Sequence, residues 1–405
     1  MPGLTGLAPL LLAGLLVAPA GRSAEPVLCE QSVPDRVEVE VGQGRGVLAS
    51  KLRLDEAHAI ADGSGVGVAV IDTGTHPGGD PGDAGSIPLA AGRQMTGATR
   101  LYDAHGTFVG GLVAGRSPAG ALGVAPGARV IPIRVLDAGD EVATATDGLV
   151  RDVSPTAVAA AIRWAVDQRV SAKIRVINLS LNFAEPHPTV TAEIRRALDA
   201  GIVVVASVGN RPEPAAYRPG EDTVEFPATV DGVLGVTALD QDDTVNPDQV
   251  LTGPDVDVSA PVVGAMTVNV GGTTCVLQQP RTSWAAAEVS GLAALVVDRF
   301  PESTPAEVVT RIEATAQGAY ADSALDGHGM IQPVEALTAR LAFTRDGRLE
   351  QQPAHTEPQR DLELPTPSED QYVGPRRDLL WWGLGAGGAL LGALLVRPLT
   401  ARRRR

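Results

Sequence analysis

Apolar, strand-like runs alternate with helix-like segments from about residue 65 to residue 340. The clearest apolar runs are 66–71, 176–181 and 202–208, and residues 155–170 carry apolar side chains at helical spacing. Strands that are apolar along their whole length and are separated by helices are typical of a parallel sheet covered on both faces. Only 3% of the residues are aromatic, so Val, Ile, Leu and Ala must fill the core. The pattern therefore predicts an α/β fold with a mostly parallel sheet.

The remaining predicted elements continue this alternation. We expect further strands at 130–136 and 233–239. We expect further helices at 107–114, at about 190–200, at 283–300 and at 305–316. The last helix is preceded by Ser303 and Thr304 and begins with Pro305, which is favoured at the first position of a helix.

Four polar residues lie at the ends of these elements. Asp72 ends the first apolar run, and Asn210 follows the run at 202–208. His105 begins a glycine-rich helix, and Ser283 begins another helix. The carboxyl ends of parallel strands collect reactive groups. The unpaired N–H groups and the dipole of a helix N-terminus favour developing negative charge.

These residue types support one nucleophilic mechanism. Ser283 attacks a carbonyl, His105 takes and returns its proton, and Asp72 holds the imidazole. The side-chain N–H of Asn210 and the backbone N–H of Ser283 bind the oxyanion. Each residue also has a purely structural interpretation, because Asp-Thr-Gly and Gly-Asn are common turns and Thr-Ser is a common helix cap. Since all four lie at element ends in one consistent chain order, we predict a catalytic site.

The segments around these residues resemble those of the subtilisin-like serine proteases over about residues 60–340. The matching motifs are Val-Ile-Asp-Thr-Gly at 70–74, His-Gly-Thr-Phe-Val-Gly at 105–110, Gly-Asn at 209–210 and Thr-Ser-Trp-Ala at 282–285. The resemblance implies a subtilisin-like three-layer fold, a peptidase domain at 56–342 and serine endopeptidase activity without a cofactor. It also implies that a substrate peptide lies along Ser180, Leu181 and Asn182. No His, Cys and carboxylate cluster has the spacing of metal ligands, so no catalytic metal is expected.

Three further segments, 123–129, 299–308 and 327–337, resemble the mycosins. These are membrane-anchored subtilases of actinobacterial type VII secretion systems. The resemblance implies the type VII secretion membrane complex as a partner and its secreted proteins as substrates. Two alternatives stay open: a structural component of that complex with weak or no proteolysis, and a general surface subtilase.

The chain departs from the family pattern at two positions near these motifs. Arg281 stands where the family usually has Gly, and a long side chain there is expected to narrow the cleft or tilt the Ser283 N–H. Asn182 also stands where subtilases usually have Gly, which alters the expected pocket for the main specificity side chain. A third change, Ala287 in place of the common Pro, is expected to be harmless.

The N-terminal residues resemble an export signal. Residues 4–20 are apolar and end in small residues, so we predict a signal peptide at 1–24, followed by a polar extension at 25–55. No Lys or Arg precedes the apolar run, and an uncleaved anchor is the alternative.

The C-terminal residues resemble a membrane anchor. Residues 343–378 are rich in Pro, Gln, Glu and Asp and predict a solvated linker. Residues 379–396 carry no charge and begin near two tryptophans, which predicts one transmembrane helix. The basic tail at 397–405 places the C-terminus in the cytoplasm and the peptidase domain outside the cell membrane.

Charge and cysteine content limit the partners and the compartment. The formal net charge of −15 argues against a nucleic-acid partner. Cys29 and Cys275 are the only cysteines, and an exported chain keeps disulfides. They allow one intramolecular bridge, which we expect to hold the N-terminal extension near residue 275, although the sequence does not exclude free thiols.

Overall fold

The computed structural model describes residues 27–31, 33, 44–80, 84–138, 152–211, 224–318, 323–350 and 373–401. The chain forms two compact units, Met1–Glu350 and Gln351–Arg405. The predicted signal peptide lies outside the described residues, as do 351–372 of the predicted linker and 402–405 of the basic tail.

One seven-stranded sheet is the centre of the first unit. Its strand order is β2-β5-β1-β6-β7-β8-β9, and every neighbouring pair is parallel. Two short antiparallel pairs, β3–β4 and β10–β11, lie outside it. The strands are β1 Gly67–Asp72, β2 Arg93–Gln94, β3 Arg116–Ser117, β4 Gly120–Ala121, β5 Arg129–Arg134, β6 Ile174–Leu179, β7 Val203–Ser207, β8 Val233–Leu239, β9 Val258–Pro261, β10 Met266–Val268 and β11 Thr274–Val276. The predicted parallel α/β architecture is confirmed.

Helices cover both faces of this sheet, so the expected three layers are present. Helices α3 and α6 pack on one face, and α4 and α5 pack on the other. The helices are α1 Leu48–Lys51, α2 Leu54–His58, α3 His105–Ala114, α4 Pro155–Asp167, α5 Pro188–Asp199, α6 Thr282–Arg299, α7 Pro305–Thr315, α8 Pro333–Thr338 and α9 Val373–Ala401. All but the last belong to the first unit.

Local sequence explains where several helices begin. The Ser154 hydroxyl accepts a hydrogen bond from the Ala157 N–H and caps α4. Thr304 and Glu307 form a reciprocal capping box at the start of α7, with Pro305 as its first residue. Such caps satisfy N–H groups that have no acceptor within the helix.

The strand order changes direction around β1. After β1 and β2 the chain returns to β5 on one side of β1, crosses to β6 on the other side, and continues outward to β9. Crevices at the carboxyl ends of strands form at such a switch point. Asp72, the last residue of β1, therefore lies where a binding cleft is expected.

The described part of the predicted N-terminal extension packs within the first unit. It contains α1 and the first two residues of α2, and its Leu48, Leu52 and Leu54 side chains are fully buried or nearly so. The expected disulfide joins Cys29 to Cys275 across 246 residues of sequence. Backbone hydrogen bonds from Cys29 to Val276 and from Val276 to Val27 run beside this bridge.

The second unit contains α9, a single long helix. Residues Asp378–Leu395 of this helix are long and apolar enough to cross a membrane, with a mean hydropathy of 1.4. The predicted span at 379–396 falls within α9, which begins at Val373 inside the segment expected to be linker.

Candidate active site

Asp72, His105 and Ser283 come together at the carboxyl edge of the sheet. The His105 Nδ1 atom lies 2.8 Å from Asp72 Oδ1 and 3.1 Å from Asp72 Oδ2. The His105 Nε2 atom lies 2.9 Å from the Ser283 hydroxyl oxygen. These distances allow a proton to pass from the serine to the imidazole while the carboxylate holds the opposite ring nitrogen.

Asp72 is held in a buried pocket at the start of α3. Its side chain is 2% exposed, and Oδ1 accepts a hydrogen bond from the Thr73 N–H at 2.6 Å. A side chain at Gly106 would collide with this pocket, because its Cβ would lie 2.4 Å from the Gly74 carbonyl oxygen and 3.0 Å from Asp72 Oδ1. The glycine after His105 therefore lets the helix approach β1 closely enough for the carboxylate to reach the imidazole.

The start of α6 presents Ser283 and orients Asn210. The Thr282 N–H donates to Asn210 Oδ1 at 3.0 Å, and the Thr282 hydroxyl lies 3.3 Å from the same oxygen. An N–H can only donate, so the atom of Asn210 that faces the Thr282 N–H must be the amide oxygen Oδ1. The amide NH₂ group of Asn210 therefore points away from Thr282. Ser283 is the second residue of α6, so helix geometry gives its backbone N–H no acceptor within the helix.

A cavity of about 340 Å³ lies at this site. Its lining includes both ends of the hydrogen-bonded relay, apolar side chains and one residue of the N-terminal extension. The lining residues are Gln31, Asp72, Thr73, Asp103, His105, Leu136, Val153, Ser180, Leu181, Asn182, Asn210, Arg281 and Ser283. Every predicted catalytic, oxyanion and substrate-binding residue is therefore among them.

Two of the predicted substrate-binding side chains are hydrogen bonded to the protein itself. The Ser180 hydroxyl lies 2.6 Å from the Ser283 carbonyl oxygen and 3.0 Å from Asn178 Oδ1. The Asn182 amide donates to the Ser207 carbonyl oxygen at 2.6 Å and accepts from the Ser207 hydroxyl at 2.8 Å. These hydrogen bonds fix the orientation of both side chains at the edge of the cavity.

Arg281 occupies ordinary backbone conformation before α6. Its φ and ψ are −103° and 127°, which any L-residue adopts, so no glycine is required here. The guanidinium Nε donates to Gln279 Oε1 at 3.1 Å. The side chain lines the cavity, as expected, but the position places no strain on the backbone that leads to Ser283.

Sequence reasoning missed Gln31 as a lining residue. Its carbonyl oxygen accepts a hydrogen bond from the Ala104 N–H at 2.7 Å, immediately before His105. Gln31 lies two residues after Cys29, so the disulfide holds this segment beside the cleft. The expected Cys29–Cys275 disulfide could have indicated this position, since it already placed the N-terminal extension near residue 275.

Side chains that could bind a metal ion together are absent from the described part of the chain. Within it, no group of three or more His, Cys, Asp or Glu side chains is arranged to hold a metal ion.

An Asp–His–Ser relay at the carboxyl edge of a doubly covered parallel sheet defines a serine hydrolase of the subtilisin type. Residues 63–329 match the model of the subtilase family, and the chain belongs to this family.

Individual proteins of this family that are similar to the chain include the mycosins. Mycosin-1 of Mycobacterium tuberculosis is 35% identical over 334 residues, which are 71% of this chain and 72% of Mycosin-1. The solved structure of the MycP3 protease from the type VII (ESX-3) secretion system is 31% identical, with a TM-score of 0.60, and the match covers 79% of this chain and 94% of that one. A chain in an intact ESX-5 inner membrane complex is 25% identical, with a TM-score of 0.61, and the match covers 91% and 94%. The chain is a subtilisin-like serine endopeptidase similar to the mycosins.

Proposed function

We propose that the chain hydrolyses peptide bonds through an acyl-enzyme formed on Ser283. The observation that carries this proposal is the unbroken relay from Asp72 through His105 to the Ser283 hydroxyl, with contacts of 2.8 Å and 2.9 Å. His105 accepts the serine proton as the Ser283 oxygen bonds to the peptide carbonyl carbon, and Asp72 stabilises the resulting imidazolium. His105 then protonates the leaving amine as the C–N bond breaks. Water, deprotonated by His105, hydrolyses the ester and regenerates Ser283.

The developing oxyanion is assigned to two donors. Asn210 offers its amide NH₂, because its Oδ1 atom is already bonded to Thr282. Ser283 offers its backbone N–H at the N-terminus of α6, where the helix dipole also favours negative charge. Donors fixed in this way stabilise the transition state without reorganising during the reaction.

Peptide hydrolysis by the purified full-length chain tests this proposal. An unstructured protein substrate is cleaved by the wild type, and the Ser283→Ala variant loses activity to background. Ser64→Ala changes an exposed serine that is distant in sequence from Ser283. It serves as the matched control, and its activity is expected to be unchanged. Equal cleavage by the wild type and Ser283→Ala would show that the activity belongs to another group or a contaminant.

We also propose that the chain is anchored by α9 and works within a type VII secretion membrane complex. Support comes from an apolar helix of span length at Asp378–Leu395, from the disulfide typical of an extracytoplasmic compartment, and from the similarity to a chain of the ESX-5 inner membrane complex. The predicted orientation places the peptidase domain outside and the C-terminal basic tail in the cytoplasm. Protease protection in intact spheroplasts tests it: an N-terminal epitope placed after residue 24 is digested, and a C-terminal epitope is protected.

The purely structural alternative is separated from catalysis by genetic complementation. A side chain at position 281 that disturbed the Ser283 N–H would favour this alternative, but the backbone conformation of Arg281 is ordinary. If catalysis is the function, Ser283→Ala restores assembly of the complex but not trimming of the secreted proteins. If the chain is only a scaffold, Ser283→Ala is indistinguishable from the wild type, whereas deletion of the chain abolishes secretion.

A further inference from the structure

Two chain segments leave the carboxyl ends of the neighbouring strands β6 and β7, and we call the space between them the gap. Leu181 and Asn182 belong to one segment and Asn210 to the other, and all three line the active-site cavity. Glu225 and Phe226, which do not line the cavity themselves, connect the two segments through backbone hydrogen bonds. The Glu225 N–H donates to the Val208 carbonyl oxygen at 2.9 Å.

Phe226 attaches the same bridge to the opposite side. Its N–H donates to the Phe183 carbonyl oxygen at 3.1 Å and its carbonyl accepts from the Phe183 N–H at 2.7 Å. Its ring packs against Phe183 and His187 in the core. Neighbouring residues of an extended segment point to opposite sides, so the Glu225 side chain is directed away from this aromatic cluster.

The Glu225 carboxylate lies against Gly209. Its Oε2 atom is 2.9 Å from the position that a Cβ on Gly209 would occupy. Gly209 has φ of +108°, a conformation that favours glycine, and it directly precedes Asn210. The missing side chain thus leaves the carboxylate next to the backbone that carries the proposed oxyanion donor.

This carboxylate is half-buried. Burial raises the pKa of Glu225. Among the residues that the structure describes, no hydrogen bond or ion pair to the Glu225 side chain is present. A partly desolvated carboxylate is costly unless a cation or hydrogen-bond donor meets it.

The Asn182 amide is neutral, and it both donates to and accepts from Ser207, which is completely buried. Glu225 offers a carboxylate beside Gly209 to a side chain that enters between the two segments.

We propose that Glu225 is a specificity-determining residue that selects Lys or Arg as the substrate residue supplying the scissile carbonyl. This inference rests on the proposed function, which holds that carbonyl between Ser283 and Asn210. The acyl part of the peptide then lies beside Leu181 and Asn182, and its last side chain enters the gap in front of Glu225. A cationic side chain neutralises the buried carboxylate, an acidic one is repelled, and an apolar one leaves the carboxylate without a partner.

Equilibrium binding of p-aminobenzamidine, a fluorescent aromatic cation, tests the pocket without catalysis. The protein is the full-length chain in detergent, carrying Ser283→Ala to prevent self-digestion. We expect saturable binding that Glu225→Gln weakens roughly 10- to 100-fold, the loss typical of one charge-assisted hydrogen bond. Asp231→Asn removes an exposed carboxylate nearby in sequence and leaves binding unchanged. Equal binding to the Glu225→Gln variant, or no saturable binding, overturns the inference.

A second comparison needs no substitution at Glu225. The uncharged analogue p-aminobenzamide has nearly the same shape and is expected not to displace the amidine. Displacement at comparable concentration would show that shape rather than charge determines binding, which also overturns the inference.

Turnover separates this inference from the proposed function. Fluorogenic peptides differing only in Lys, norleucine or Glu before the scissile bond are compared by kcat/KM, and we expect Lys to be preferred in the wild type and the preference to fall roughly 10- to 100-fold in Glu225→Gln. Hydrolysis without a Lys preference refutes the role of Glu225 and leaves the peptidase function standing. Glu225-dependent amidine binding without any hydrolysis supports the pocket and refutes the peptidase function.

Discussion

Glu288 makes the stability of the nucleophile-bearing helix depend on pH. It lies in α6, five residues after Ser283, and its side chain is completely buried. Neither carboxyl oxygen has a hydrogen-bond partner among the residues that the structure describes. Burial raises the pKa of Glu288 well above its ordinary value of 4.5, and the charge of Lys51 offsets this only in part. The carboxyl group is therefore protonated in the folded chain under conditions where the unfolded chain ionises it.

The sign of the pH dependence follows from this difference. Above pH 4.5 the unfolded state has released the Glu288 proton while the folded state still binds it, so the free energy of unfolding falls as pH rises. One proton corresponds to about 1.4 kcal/mol for each pH unit, up to the folded-state pKa. Glu288→Gln is neutral in both states and removes this contribution. The variant should match the wild type near pH 4.5 and become progressively more stable than the wild type toward neutral pH.

Urea unfolding between pH 4.5 and pH 8 measures this effect. The full-length chain carries Ser283→Ala to prevent proteolysis, and circular dichroism reports unfolding in neutral detergent. Other carboxylates titrate in the same range, so the informative quantity is the difference between the Glu288→Gln variant and its parent at each pH. Glu302→Gln, which changes an exposed carboxylate, is the control and shows no pH-dependent difference. A constant difference between Glu288→Gln and its parent across this range would show that Glu288 has the same pKa in the folded and unfolded chain.

Three further predictions concern the catalytic relay and the extension. Asp72→Asn should lower kcat by about 10⁴-fold, because the imidazole loses the carboxylate that fixes its tautomer; a loss below tenfold in steady-state hydrolysis would contradict the relay. Ser180→Ala removes the hydroxyl bonded to the Ser283 carbonyl oxygen, and we expect kcat to fall roughly tenfold with KM unchanged, whereas a change in KM alone would indicate direct substrate binding. Replacing Cys29 and Cys275 by Ser removes a bridge across 246 residues and should cost about 2–5 kcal/mol of unfolding free energy in chemical denaturation. A reducing agent should destabilise the wild type alone, and equal stability of both proteins would contradict this expectation.

The sequence predicted the strands of the main sheet where they are continuous apolar runs. The run at 233–239 coincides with β8, and the run at 66–71 matches β1 to within one residue at each end. Strand β9, Val258–Pro261, was missed because it is short and contains Ser259 among its four residues. Burial of that serine depends on β8 and on the bridge to Met330, which no local pattern encodes.

The candidate site was predictable in its residues but not in its surroundings. Asp72, His105 and Ser283 follow from their places at the ends of elements, because a parallel sheet brings such ends together. The contacts of Asn182 with Ser207 and of Glu225 with Gly209 depend on how separate loops fold against each other. Such side-chain contacts have no periodic signal in the sequence.

The backbone at position 281 differs from what the family pattern suggested. Arginine in place of the usual glycine suggested a disturbed oxyanion site, because glycine often marks unusual backbone geometry. In the structure the φ of Arg281 is −103°, so the substitution changes the surface of the cleft and not the path of the chain.

Covalent labelling with a fluorophosphonate tests whether Ser283 is the activated nucleophile. The full-length chain is labelled in native membranes, and mass spectrometry locates the modified residue. We expect one adduct, on Ser283, which is lost in Ser283→Ala and strongly slowed in His105→Ala because the hydroxyl then lacks its base at 2.9 Å. Absence of an adduct, or an adduct on another residue that persists in Ser283→Ala, would show that Ser283 is not the nucleophile.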